Sequence, residues 1–133
     1  MDRIVKHIRW VMLVSGALTF TMIQAAFAPD AALASTFGAG VDGRDAQIVV
    51  RNWGVLIALM GAMLVYGAFH AHVRRMALAV AGTSKLAFIA LVLAHGAEFI
   101  GHQAGMAVAI DAVTVILFAA YLAATPRTLP AGT

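Results

Sequence analysis

The sequence predicts an all-α polytopic membrane protein, a four-helix transmembrane bundle with both termini in the cytoplasm. Three observations predict it. Of 133 residues, 62% are hydrophobic and 11% charged, with a mean hydropathy of +0.91, whereas a soluble domain carries about 25% charged residues and 45–50% apolar ones. The apolar residues gather in four stretches, about residues 8–28, 48–69, 76–94 and 105–124. Each approaches the roughly 20 residues that a helix needs to cross about 30 Å of hydrocarbon. Finally, no segment alternates polar and apolar side chains over the ten or so residues of a membrane barrel strand. The length fits one transmembrane domain, residues 1–133.

The same composition excludes several classes. Zero cysteines leave no disulfide framework, thiol nucleophile or cysteine zinc site. The pI of about 10.0 comes from nine cations scattered over an apolar chain, which form no patch that tracks phosphates, so nucleic acid is not an expected partner. No Gly-rich phosphate loop, nucleophile elbow or His-Glu-x-x-His motif occurs. The spans show no visible repeat, so an inverted-repeat transporter has no support.

The first span follows Arg3, Lys6 and Arg9. A basic start, an apolar run and Ala32-Leu33-Ala34 before Ser35 resemble a secretory signal with an A-x-A cleavage site. The apolar run is longer than a signal core, and Pro29-Asp30 interrupts it before that site, so a retained helix is expected. Pro29 ends the span because it cannot continue the backbone ladder. Gly38, Gly40 and Gly43 punctuate the following segment, in which residues 31–37 suit a short interfacial helix. The second span carries Gly54, Ala58 and Ala62 at four-residue intervals, small residues of the kind that let helices approach in lipid. Arg51 falls on the same stripe.

His70, His72, Arg74 and Arg75 separate the second and third spans and suit a boundary facing anionic headgroups. The third span offers Ala90 and Ala94, then Ala97, Gly101 and Gly105 around a continuation toward Ile100. The fourth offers Ala119 with Ala123 and Ala120 with Ala124, followed by a loose tail at 126–130. Arg127 in that tail, the cations before the first span and Arg74-Arg75 all fall on one side. Asp30, Asp42, Asp45 and Glu98, with only Arg44 as an exposed cation, fall on the other. The positive-inside rule therefore places both termini in the cytoplasm. Trp10, Tyr66, Phe69 and Tyr121 match that interface, and Trp53 and Phe99 the opposite one.

Arg51, Lys85 and Asp111 lie inside the spans, where each charge costs roughly 2.5–3.5 kcal/mol on insertion scales. Counting residues puts Arg51 about 5 Å and Asp111 about 9 Å below the outer boundary, with Lys85 about 13 Å from the cytoplasmic side. Asp111 is thus within reach of Arg51, Lys85 or both. Two cations and one carboxylate form either a structural pair that fixes register, with Arg51 snorkelling outward, or a net positive pocket for an anionic or polar headgroup, or a proton-handling centre. Asn52, Thr83, Ser84 and Thr114 are neutral hydrogen-bonding candidates beside it. Separately, His95, Glu98 and His102 share one face if the third helix continues. Two imidazoles and a carboxylate suit zinc or iron. The flanking Gly96, Gly101 and Gly105 weaken such a helix, and the alternatives are an interfacial loop or residues that pass protons to the pocket beneath.

The run Val50-Arg51-Asn52-Trp53-Gly54-Val55, followed by a helix containing Gly61 and a third helix with a polar start, resembles the small bacterial four-helix membrane proteins of the DoxX-like type. Where that family more often has a Gly-Gly pair, Trp53-Gly54 stands here. The resemblance covers the overall layout and implies fold and membrane location rather than an activity. Seven Arg against two Lys, with abundant Ala and Gly, also suit a high-GC bacterial source.

The expected function is that of a small protein of the bacterial inner membrane with a non-enzymatic accessory or ligand-binding role. Its charged pocket would open toward the outer half of the bilayer and receive a lipid, a quinone-like or another amphipathic molecule. Arg51 and Lys85 would hold the polar end and Asp111 would orient them, with Asn52 and Ser84 adding neutral hydrogen bonds. The alternatives are a small membrane enzyme using His95, Glu98 and His102, with or without a metal, and a homo-oligomer or subunit of a larger membrane complex. Membrane lipid is the partner common to all three, and the sequence does not identify a cofactor.

Overall fold

The computed structural model describes residues 2–38, 42–95, 101 and 103–125, and every regular element among them is helical. The first, α1 (Asp2–Phe20), tightens into a 3-10 turn at Thr21–Ile23 and resumes as α2 (Gln24–Phe27). Thr21 sits at the break, its hydroxyl donating to the Leu18 carbonyl at 2.5 Å, a local bond that competes with the regular backbone ladder. Ala28 leaves the helical region at φ −136°, ψ 69°, and Pro29 then starts α3 (Pro29–Phe37), where its missing amide proton costs nothing. Gly38 ends α3 in the left-handed conformation, φ 79°, with its amide bonded to the Ala34 carbonyl at 2.9 Å. The stretch that resembles a cleavage site is thus part of a helix. Its Ala32 and Leu33 are buried in a small core with Ala25 and Val50.

Three long helices complete the chain: α4 (Arg44–Phe69), α5 (Ala71–His95) and α6 (Gln103–Ala124). With Arg3–Phe27, they are four segments long and apolar enough to cross a membrane. Large apolar side chains such as Leu56, Leu59, Leu91, Leu93 and Ile116 point outward and are about half or more exposed. Such an array is compatible with hydrocarbon as its solvent. α4 begins at Arg44 rather than near 48, and α5 at Ala71 rather than near 76. Hydropathy senses only the part of a helix in hydrocarbon, so the polar first turns of both escaped it. His70 alone separates these two helices.

The bundle is a ring in which α1 packs on α4, α4 on α5, α5 on α6 and α6 on α1. The α1–α4 seam is the most extensive, and the α1–α6 seam the loosest. Glycines make the tight seam. A Cβ on Gly61 would stand 2.5 Å from both the Gly16 carbonyl oxygen and the Phe20 amide nitrogen. One on Gly54 would stand 2.8 Å from the Ala25 Cβ. The buried face of α4 therefore runs through Val50, Gly54, Ala58, Gly61 and Leu64, and the expected Ala62 is exposed. A strict four-residue spacing rotates by about 40° per step, so alternating steps of three and four are needed to stay on one face. Ala90, Ala94, Ala119 and Ala123 also point outward. Ala97 lies outside the described residues.

At the N-terminal end of the bundle, Ile8, Met12, Leu64, Leu78 and Phe118 form the fully buried core. The adjacent arginines fasten helix ends. Arg74 donates to the Gly67 carbonyl at 3.1 Å and the Ala68 carbonyl at 2.8 Å, closing α4. Arg75 donates to the Leu122 and Thr125 carbonyls, closing α6. Cations at helix C-termini satisfy orphan carbonyls and complement the helix dipole. Arg9 lies over the Phe69 ring, 4.6 Å from its centroid. His70 stacks on Tyr66 at 3.9 Å.

Candidate functional site

The charge inside α5 finds its partner on α6. Lys85 is 9% exposed, and its Nζ lies 2.6 Å from Asp111 Oδ1. The same ammonium donates to Thr19 Oγ1 of α1 at 3.3 Å. Three helices are thereby joined through one side chain. An unpaired charge at this depth would be strongly unfavourable, so the pair also fixes the rotation of α5 against α6.

The pair forms part of the wall of a cavity of about 340 Å³ enclosed by α1, α4, α5 and α6. Polarity is graded along it. Ser15, Thr19, Lys85 and Asp111 gather toward the middle of the bundle. Nearer the α3 end the wall is Met22, Trp53, Phe88 and Met106, and Thr36 and Gln103 close that end. Trp53 is braced by Phe37 of α3, with ring centroids 6.5 Å apart. Leu18 of α1 and Ile110 of α6 line the cavity yet are 52% and 43% exposed. At the loose α1–α6 seam the cavity wall is thus made of side chains that are themselves about half exposed.

Ser15 is 6% exposed, and its Oγ is the one buried side-chain polar atom, among the described residues, with no hydrogen-bond partner. Buried hydroxyls are seldom left so. It lies one helical turn before Thr19, on the face of α1 that also presents Met22 to the cavity.

Arg51 does not join Lys85 and Asp111. Its guanidinium donates to the Ala26 carbonyl at 2.6 Å, in the last turn of α2. A short helix ending just before Pro29 leaves carbonyls that need a donor, and Arg51 lies beside them on α4. The expected net positive cluster is consequently a one-to-one pair. Asn52 is exposed and Ser84 lines the cavity. Thr83 and Thr114 bond to the Ala79 and Ile110 carbonyls of their own helices.

His95 ends α5 and is exposed, while Glu98 and His102 lie outside the described residues. Among the described residues no group of three His, Cys, Asp or Glu side chains could hold a metal. Sequence reasoning missed Ser15 and Thr19. Two hydroxyls at i and i+4 in an otherwise apolar span share one face, and that spacing was the available signal.

The assembled site can hold a polar group deep in an apolar wall and leave the rest of the molecule against aromatic and thioether side chains. No family model, curated protein or solved structure matches the chain.

Proposed function

We propose that this chain is a small multi-pass protein of the bacterial inner membrane that binds an amphipathic molecule, a lipid or a quinone-like compound, in a non-enzymatic accessory role. One observation carries the reading: a cavity of about 340 Å³ whose lining is mainly apolar and holds one ion pair, Lys85 with Asp111, beside the hydroxyls of Ser15 and Thr19. Such a volume lies within the range of small-molecule sites, which combine an apolar lining with a few placed polar groups. Lys85 would hold the polar end, Asp111 and Thr19 would orient the ammonium, and Ser84 would offer a further hydroxyl. The molecule would enter from the bilayer through the α1–α6 seam.

The proposed orientation has both termini in the cytoplasm, which puts the cavity in the outer half of the membrane. It rests on Arg74 and Arg75 at the N-terminal end and on the acids at the other. The DoxX-like layout is kept as part of this reading, resting on Arg51 and Gly54 near the start of α4.

Native mass spectrometry of protein released from bilayer nanodiscs tests the proposal. The wild-type chain is expected to retain a small molecule, and the Lys85→Met, Asp111→Leu double variant to lose it while remaining folded. A folded wild-type chain that carries no molecule and takes up no added amphiphile would refute the reading.

A further inference from the structure

Which polar head the cavity accepts follows from its charge and its donors, given the ligand-binding reading above. Among the described residues, Lys85 and Asp111 are the only ionised side chains that line it, and at 2.6 Å they cancel. A carboxylate or phosphate head reaching Lys85 would also meet the Asp111 carboxylate, with little water to screen the repulsion. A cationic head would meet Lys85 in the same way. The head that fits is uncharged.

The donors specify its chemistry further. An ammonium has three N–H groups, of which Lys85 directs one to Asp111 and one to Thr19. Ser15 contributes a buried hydroxyl with no partner among the described residues, on the same cavity wall as Thr19. The third N–H of Lys85 and the Ser15 hydroxyl, one helical turn from Thr19, are donors left without an acceptor oxygen among the described residues. Above that point the wall carries Met22, Met60, Met106, Trp53 and Phe88, with Thr36 and Gln103 beyond them; the thioethers and aromatic rings make contacts that favour a flat unsaturated ring. From Ser15 to Met22 the cavity follows α1 for only about 10 Å, so a longer tail must leave past Leu18 and Ile110. We infer that the cavity takes the uncharged, carbonyl-bearing ring of a membrane-dissolved amphiphile, a quinone-type head, with a carbonyl oxygen bonded to Ser15 and Lys85.

The test uses the full chain in phosphatidylcholine nanodiscs. Of its two tryptophans, Trp10 is replaced by Phe so that emission reports on Trp53 at the cavity. The probes are decyl-1,4-benzoquinone, decylbenzene and decyl phosphate. Saturable binding of the quinone is expected, with the phosphate and the carbonyl-free ring at least about tenfold weaker. Ser15→Ala should raise the quinone Kd about three- to tenfold, the effect of losing one hydrogen bond, and leave decylbenzene unchanged. That variant removes an unpartnered hydroxyl, so its melting temperature should match that of the parent. If the phosphate or decylbenzene binds as tightly as the quinone, or if Ser15→Ala has no effect, the head-group assignment is wrong while the pocket reading stands. If no probe binds saturably, the pocket reading itself fails.

Discussion

The close approach of α1 and α4 makes Gly61→Ala and Gly82→Ala a pair of substitutions with opposite signs. Both exchange a buried helical glycine for alanine. At Gly61 the new methyl group would stand 2.5 Å from a carbonyl oxygen and an amide nitrogen of α1, against 3.4 Å or more for ordinary contact. Both neighbours are backbone, so no rotamer change relieves them, and α1 must move away by close to 1 Å along its longest seam. Overpacking of this kind costs about 1–3 kcal/mol, and the rigidity of both partners places Gly61 toward the upper end. At Gly82 the nearest atom is Cδ2 of Phe118 at 3.8 Å. There the methyl group gains contact, and the helix gains about 0.5–1 kcal/mol from replacing glycine. The two variants should therefore differ by about 1.5–4 kcal/mol. Unfolding in mixed micelles with increasing dodecyl sulfate, followed by tryptophan emission, measures this. Gly61→Ala at least as stable as the parent would refute the inferred packing. Gly16→Ala adds an internal check, since Gly16 and Gly61 face each other. Combined, they should cost less than the sum of the two, because one displacement of α1 serves both.

Three further outcomes are expected. Lys85→Met or Asp111→Leu alone should destabilise the bundle by about 3–5 kcal/mol, whereas the double variant should fall within roughly 1 kcal/mol of the parent; a cycle of the same unfolding titrations decides, and additive losses would contradict a mutual pair. Arg51→Gln should cost about 1 kcal/mol through the end of α2 and leave the quinone Kd unchanged, and a Kd shift as large as that of Ser15→Ala would return Arg51 to the polar cluster. Because the chain has no cysteine, single cysteines report its orientation in intact cells. Asp42→Cys should react with an impermeant maleimide added outside and His72→Cys only after lysis, and the reverse pattern would overturn the proposed topology.

The existence of the four long helices was legible because twenty consecutive apolar residues have few other uses. Their interruptions were not. Nothing in the apolar run marks the 3-10 turn at Thr21–Ile23, since neither Pro nor Gly occurs there and the break involves a hydroxyl that many helices tolerate. Lys85 and Asp111 were legible as a pair because a charge at that depth must find a partner. Arg51 was grouped with them on depth alone. Depth does not reveal that a helix ends beside it, so its bond to Ala26 was out of view. Arg74 and Arg75 looked like markers of the membrane edge. Their further role in closing α4 and α6 depends partly on carbonyls 47 and 50 residues away, a separation that pattern reading does not bridge. Ser15 was passed over because one hydroxyl in a span normally bonds to its own helix, as Thr83 and Thr114 do. Its isolation becomes visible only when the cavity is present.

The Lys85–Asp111 pair also bears on how the protein enters the membrane during synthesis. A lysine near the middle of α5 raises that helix's insertion cost by about 2.5–3.5 kcal/mol, and the carboxylate that offsets it comes 26 residues later. At about 5–20 residues per second, synthesis leaves α5 without its counter-charge for roughly 1–5 s. Over that interval α5 depends on the hydrocarbon affinity of its other residues and on Thr19 of an already inserted α1. It reaches its final energy only when α6 arrives. In a bilayer such a pair would favour insertion of the last two helices together, as one hairpin.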